Sequence, residues 1–315
     1  MQDQLLHVFQ INIGAQIETA KKYNCQYVGH GCTGKGNDQL RFELAYMTLC
    51  PSIKIITPWR QKDFCTEFQG RQDLLKYAAK HDIPVDATPK KPWSMDENMY
   101  HISYEAGILE DPNVTPPKEM WKKTLDVVDA SNTPDVISLE FKGGLPFKLI
   151  HGDKTVSEPM AIFNYFTQLG KNHGIGRIDI VENRCIGMKS RGCYETPAGT
   201  IIRALHMDIE GLVMDKQVRR YRDELATQYA QLLYDGQYFA PECQLIIKAI
   251  QETQKDVRGI VKCRLYKGNV TVLGRSSDAK LYSQELASMD EHGDYDPQDA
   301  NGFIKILGLR HTVNK

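Results

Sequence analysis

Apolar and polar positions along this chain follow one rhythm over residues 17–85 and another beyond it. A helical run ends near Tyr23, a short apolar segment covers 26–28, and a glycine-rich turn follows. Leu40, Leu44 and Met47 then recur at core spacing, which predicts a helix over 37–48 with those side chains facing inward; a strand-like 53–56 comes next. Residues 71–81 are helical again, with Leu74, Tyr77 and Ala78 on one face. Strands separated by helices of this length favour right-handed crossovers, so the first region is predicted to be part of a parallel sheet covered on both sides. Prolines at 89 and 92, and three more within 111–117, break the pattern. We place a boundary near residue 88.

Beyond the boundary, Ile137, Leu139 and Phe141 alternate with polar residues, Gly143-Gly144 turns the chain, and Phe147 and Leu149 continue the alternation. This predicts an antiparallel hairpin, and Val261, Cys263 and Leu265 with Val270 and Val272 about Lys267-Gly268-Asn269 predict a second. Between them Leu205, Ile209, Leu212, Val218, Tyr221, Leu225, Tyr229 and Leu232 repeat at three and four, as one long or broken helix. Residues 299–312 form a last helical stretch in which Phe303, Ile306 and Leu307 make an apolar strip; a packed terminal helix and a docking arm are equally compatible with it. The fold class expected is therefore α/β in an incomplete parallel-sheet domain (1–87), then a larger α+β domain (88–290), then a C-terminal helical arm (291–315).

Composition narrows the function classes. With 315 residues, two cores are the expectation. The 39 basic and 40 acidic residues leave a net charge of -1, which offers no field for nucleic acid. Eight scattered cysteines form no close CxxC pair, no stretch approaches the ~20 apolar residues of a membrane span, and residues 1–10 lack a signal core. The expectation is a soluble protein of the cytosol, with reduced thiols, that makes no contact with membrane or nucleic acid.

The candidate chemistry lies between Gly29 and Arg41. Four glycines in Gly29-His30-Gly31-Cys32-Thr33-Gly34-Lys35-Gly36-Asn37-Asp38 sit between a strand and a helix, where α/β proteins gather anions on unpaired backbone N–H groups. The spacing nearly meets the P-loop pattern, but Gly36 stands where Ser or Thr would hold magnesium, and a plain flexible turn remains an equal alternative. One helical turn on, Thr33, Asn37, Asp38 and Arg41 offer a hydroxyl, an amide, a carboxylate and a guanidinium, a set able to take both ends of an amino acid. A solvent-exposed Asp38–Arg41 ion pair is the competing reading.

The segment His30-Gly31, Thr33-Gly34-Lys35-Gly36-Asn37-Asp38-Gln39 and Arg41-Phe42-Glu43-Leu44 resembles the central signature of argininosuccinate synthases. Further matches follow in order: Pro58-Trp59-Arg60, Thr88-Pro89-Lys90, Pro92-Trp93-Ser94-Met95-Asp96-Glu97-Asn98, His101-Ile102-Ser103-Tyr104-Glu105-Ala106-Gly107, Gly176-Arg177-Ile178-Asp179, Val181-Glu182-Asn183-Arg184 and Tyr194-Glu195-Thr196-Pro197-Ala198-Gly199-Thr200. The resemblance runs over residues 17–309.

It implies a carbon–nitrogen ligase of arginine biosynthesis and the urea cycle that joins citrulline to aspartate with ATP, through a citrullyl adenylate, releasing pyrophosphate and AMP. Such chemistry relies on orientation and charge rather than on a protein nucleophile. By the resemblance, Gly29, His30, Gly31, Cys32, Thr33, Gly34, Lys35, Gly36 and Asn37 hold ATP with its Mg2+, and no protein-bound metal is expected. Thr33, Asn37 and Asp38 hold aspartate; Asn37, Arg41, Ser94, Ser103, Glu182 and Tyr194 hold citrulline. Residues 1–87 become part of a nucleotide-binding domain, 88–290 the synthetase domain and 291–315 the oligomerisation arm of a homotetramer. The family's Ser-Gly-Gly-Leu-Asp-Thr-Ser phosphate loop does not occur in the sequence, and residues 1–16 do not follow the family pattern. A truncated or variant member that binds ATP weakly is therefore expected, with a non-catalytic oligomer subunit as the alternative.

Overall fold

Helix α1 (Asp3–Lys22) leads into strand β1 (Tyr27–Gly29), helix α2 (Asp38–Leu49) and strand β2 (Lys54–Ile56), which pairs parallel with β1 in the register Tyr27 to Lys54. This is the predicted strand–helix–strand crossover. The computed structural model describes residues 3–34, 36–85, 93–288 and 296–313. Lys35, the 88–90 motif, and the inferred boundaries at 87/88 and 290/291 lie outside the described residues.

The core of this first unit corrects one expectation. Ile13 and Ile17 of α1 pack on Ala45 and Tyr46 of α2, joined by Phe42, Leu49 and the strand residues Val28 and Ile55, whereas Leu40 and Met47 are exposed. Both sets have helical spacing. The partner decides between them: α1 lies across the Ala45 side, where the Tyr46 hydroxyl meets the Gln16 side-chain oxygen, and leaves the Leu40 side uncovered. Helices α3 (Lys62–Glu67) and α4 (Arg71–Lys80) complete the unit, with Ala78 buried and Tyr77 laid edge-on to Phe68 at 5.3 Å.

Strands β3 (Ser94–Glu97) and β4 (Ile102–Glu105) begin the second unit, and β5 (Asp135–Lys142), β6 (Leu145–His151), β7 (Lys154–Val156) and helix α5 (Pro159–His173) follow. Next come β8 (Arg177–Asn183), β9 (Lys189–Glu195), α6 (Pro197–Val213), α7 (Lys216–Tyr234), α8 (Pro241–Thr253), β10 (Gly259–Tyr266), β11 (Asn269–Ser276), α9 (Gln284–Ala287) and α10 (Asp299–Thr312). One antiparallel sheet runs β11-β10-β5-β6-β7 and contains both predicted hairpins; a second, also antiparallel, runs β3-β4-β9-β8. Ile137, Leu139, Phe141, Leu149, Val261, Cys263 and Leu265 point from the first sheet into α5 and α6, as period-two patterning requires.

The long apolar run breaks after Met214, because the Asp215 carboxylate caps α7 by accepting from the backbone N–H groups of Gln217 (2.8 Å) and Val218 (3.2 Å). Entry into α6 is equally determined by backbone geometry. Gly176 has φ +109°, and a β-carbon there would lie 2.7 Å from the Pro197 Cα. Gly176→Ala is accordingly expected to cost about 1–3 kcal/mol of stability, read from urea unfolding; an unchanged midpoint would show that the α5–α6 junction yields freely.

Candidate functional site

The N-terminal end of α2 faces the β3-β4-β9-β8 sheet across a cavity of about 500 Å³, within the roughly 300–1,000 Å³ usual for small-molecule sites. Thr33, Gly36, Asn37, Asp38 and Arg41 line it from one side, and Asp96, Ser103, Glu105, Glu182, Arg184 and Tyr194 from the other, with Tyr234 at the end of α7 between them. Strand alternation explains the second wall. Asp96 stands opposite Ser103, and Ser103 opposite Tyr194, so all three share a face; on β8 the exposed Val181 and Asn183 flank the inward Glu182.

The two walls are tied together at the α2 terminus. Asn37 Nδ2 donates to the Tyr234 hydroxyl (2.8 Å), the Cys185 N–H donates to Asn37 Oδ1 (2.9 Å), and Arg41 Nε donates to the Tyr234 carbonyl (2.9 Å). Arg41 also pairs with Asp38 at 2.8 Å; the Arg41 side chain is 11% exposed and that of Asp38 45%, and both line the cavity.

Across the cavity the Tyr194 hydroxyl donates to Glu182 Oε1 (3.2 Å), while Glu182 Oε2 is buried with no hydrogen-bond partner among the described residues. Burial pushes the Glu182 carboxyl above its ordinary value, against the opposing pull of the Tyr194 hydrogen bond and the Arg41 charge. Asp96 is raised by burial and by Asp38, and Glu105 by burial despite Arg184 nearby. Among the described residues of the lining, Asp38, Asp96, Glu97, Glu105 and Glu182 face Arg41 and Arg184 alone, an acidic surface suited to ammonium groups.

Residues 11–84 match the model of the arginosuccinate synthase N-terminal HUP domain and 93–314 that of the arginosuccinate synthase C-terminal domain. Curated argininosuccinate synthases from Schizosaccharomyces pombe, Bos taurus and Homo sapiens are 54%, 51% and 50% identical over 297 residues, covering 94% of this chain and 72% of each relative. The chain belongs to the argininosuccinate synthase family. That family of ligases acts in arginine biosynthesis with citrulline, aspartate and ATP as its substrates.

Most residues that the family resemblance nominates for the two amino acids meet in this cavity; Ser94 does not line it, although it stands opposite the lining Glu105. Of the nucleotide stretch, Thr33, Gly36 and Asn37 reach the cavity. Gly29 lies in β1 beside Ile56, and the His30 ring stacks on Phe42 (5.5 Å) with Nε2 3.2 Å from Glu43. Cys32, which donates its N–H to His30 Nδ1, has its thiol pushed up to about 11 by burial and by Asp38, so it is a thiol at neutral pH. The Gly34 carbonyl accepts from Gln39 (2.8 Å). Sequence reasoning missed Asp96, Glu105, Arg184 and Tyr234. The first two could have been found from their period-two relation to Ser94 and Ser103; nothing local marks Tyr234. No helix among the described residues is long and apolar enough to cross a membrane.

Proposed function

We propose that this chain condenses citrulline with aspartate at the expense of ATP, with the cavity holding the two amino acids and residues 29–37 the nucleotide. The observation that carries this reading is the buried oxygen of Glu182 in the cavity wall, which has no hydrogen-bond partner among the described residues. A buried carboxylate oxygen is costly unless paired, and the α-ammonium of citrulline is the matching group. Arg41 is the natural partner of citrulline's carboxylate, with Ser103 and Tyr194 beside it and Ser94 on the neighbouring strand. Asp38 takes the ammonium of aspartate, and Thr33 and Asn37 supply its polar contacts.

The acidic lining repels polyphosphate, which supports placing the triphosphate of MgATP on the glycine-rich side, before the first N–H groups of α2. Mg2+ enters as part of that substrate. The ureido oxygen of citrulline then attacks the α-phosphorus, the bond to pyrophosphate breaks, and citrullyl adenylate forms. The aspartate amine attacks the ureido carbon, AMP leaves, and the amine's proton is released. Holding the three reactants in line is the protein's main contribution. Pyrophosphate release by the 315-residue chain with MgATP, citrulline and aspartate tests the proposal. Release that needs citrulline, and that continues beyond one equivalent per chain only when aspartate is also present, is expected; failure of citrulline to bind at millimolar concentration would sink it.

A second reading rests on α10. Phe303, Ile306 and Leu307 are 67%, 73% and 54% exposed, and Ile304 and Leu309 are exposed with them, a strip that favours docking on other copies in a cytosolic homotetramer of the urea cycle. On this view the chain acts as an assembly subunit without turnover. Ile306→Asp should reduce the mass seen by light scattering to that of a monomer, and an unchanged mass would remove the arm from the assembly. Product-free binding of citrulline, with loss of activity when the chain is mixed with a full-length relative, would favour this second reading over the first.

A further inference from the structure

The geometry points to Tyr234 as a positioning residue for citrulline, one that sets the orientation of the Asn37 amide and holds the Arg41 guanidinium against the cavity. The inference rests on the function proposed above, because it concerns residues through which that reading binds citrulline. Tyr234 is the last residue of α7, 193 positions from Arg41 along the chain.

Its hydroxyl donates to the Asn183 carbonyl (2.7 Å), so the oxygen meets Asn37 only as an acceptor. Asn37 must therefore present Nδ2 to Tyr234. The backbone N–H of Cys185, which can only donate, independently requires Oδ1 on the opposite side of the same amide. The two constraints agree, and together they exclude the flipped amide. Of the two Nδ2 hydrogens one is spent on Tyr234, which leaves the other as a donor in a residue that lines the cavity. The ligand atom it suits is an acceptor oxygen, such as a ureido or carboxylate oxygen, and not an ammonium.

Arg41 is held by a different part of the same residue. Its guanidinium lies 4.9 Å from the centre of the Tyr234 ring, and its Nε donates to the Tyr234 carbonyl. Gly236 brings the turn after α7 against the Arg41 backbone: with φ +75°, it places a would-be β-carbon 2.5 Å from the Arg41 Cα, so only glycine permits this approach. The citrulline-facing side of α2 is thus assembled by docking on the α7 terminus of the other unit.

Calorimetric titration of citrulline into four chains tests this: wild type, Tyr234→Phe, Asn37→Ala and the double variant. Tyr234→Phe removes the hydroxyl while keeping the ring and carbonyl, and is expected to weaken citrulline about tenfold, the loss of one well-placed hydrogen bond. On the Asn37→Ala background the same change should add almost nothing, because the residue through which the hydroxyl acts is gone. A purely structural role would instead follow the thermal midpoint; Glu210→Gln, which disturbs the buried pair with Arg222 away from the cavity, is expected to lower the midpoint and leave citrulline affinity unchanged. Wild-type affinity in Tyr234→Phe, or a full tenfold loss on the Asn37→Ala background, overturns the inference alone. A wild-type chain that does not bind citrulline overturns the proposed function, and this inference with it.

Discussion

Glu195→Ala is expected to destabilise the second unit by about 3–5 kcal/mol, the range for removing one partner from a buried charged network. Glu195 is fully buried at the end of β9. Its carboxylate accepts from the Tyr104 hydroxyl (2.6 Å), the backbone N–H groups of Lys122 (2.8 Å), Lys123 (3.0 Å) and Thr124 (2.8 Å), and the Thr124 hydroxyl (2.6 Å). The compensating cation sits one residue away. Arg177, directly opposite Glu195 in the β8–β9 register, donates to the Thr124 hydroxyl oxygen (2.7 Å) and carbonyl (2.9 Å) and lies over the Trp121 ring. Glu195 therefore straps residues 122–124 onto the sheet that carries Ser103 and Tyr194. Burial, followed by the hydrogen bond to Glu195, pushes the Tyr104 phenol far up, which keeps it a donor. Glu195→Gln should cost nearly as much as the alanine, since its amide nitrogen would point a donor at donors. Urea unfolding with an unchanged slope is the measurement. A glutamine variant within about 1 kcal/mol of wild type would show that the strap is held by apolar packing instead.

How much of this was legible in the sequence depended on the range of the interaction. Both hairpins were, because Gly143-Gly144 and Lys267-Gly268 sit between runs whose alternation is local. The parallel pairing of β1 and β2 followed from the helix between them. The buried face of α2 did not, because Leu40-Leu44-Met47 and Phe42-Ala45-Tyr46-Leu49 satisfy helical spacing equally, and only the arrival of α1 selects one. The long-range polar contacts were out of reach for the same reason. Glu195 and its strap are about 70 residues apart, the Glu210–Arg222 pair joins two helices, and Tyr234 meets α2 across most of the chain. The motif residues supplied the site's chemistry; strand alternation then extended it to Asp96 and Glu105, since β3 and β4 put Ser94, Asp96, Ser103 and Glu105 on one face.

Glu182→Gln is expected to weaken citrulline about a hundredfold, roughly 2.7 kcal/mol, which is the upper part of the range for a hydrogen bond to a charged group. The substitution preserves shape and can still accept from the Tyr194 hydroxyl, so what it removes is the charge on an oxygen that has no other partner among the described residues. The pH dependence follows from the same burial. Because the folded-state carboxyl is raised, its neutral form is favoured; the stability this gives is fully present below the unfolded value and is lost as pH rises through the folded one. Citrulline's ammonium acts in the opposite sense, because it binds the ionised form and offsets the cost of burying that charge. Affinity in the wild type should therefore climb as pH rises above the ordinary carboxylate range, and the gain in thermal midpoint on adding citrulline should climb with it. In Glu182→Gln both should climb less, since only the raised carboxyls of Asp96 and Glu105 remain to titrate in the lining. If the variant binds as tightly as wild type, or the wild-type profile is level over that range, citrulline's ammonium sits elsewhere, and the other acidic residues on the same wall, Asp96 and Glu105, become the groups to test.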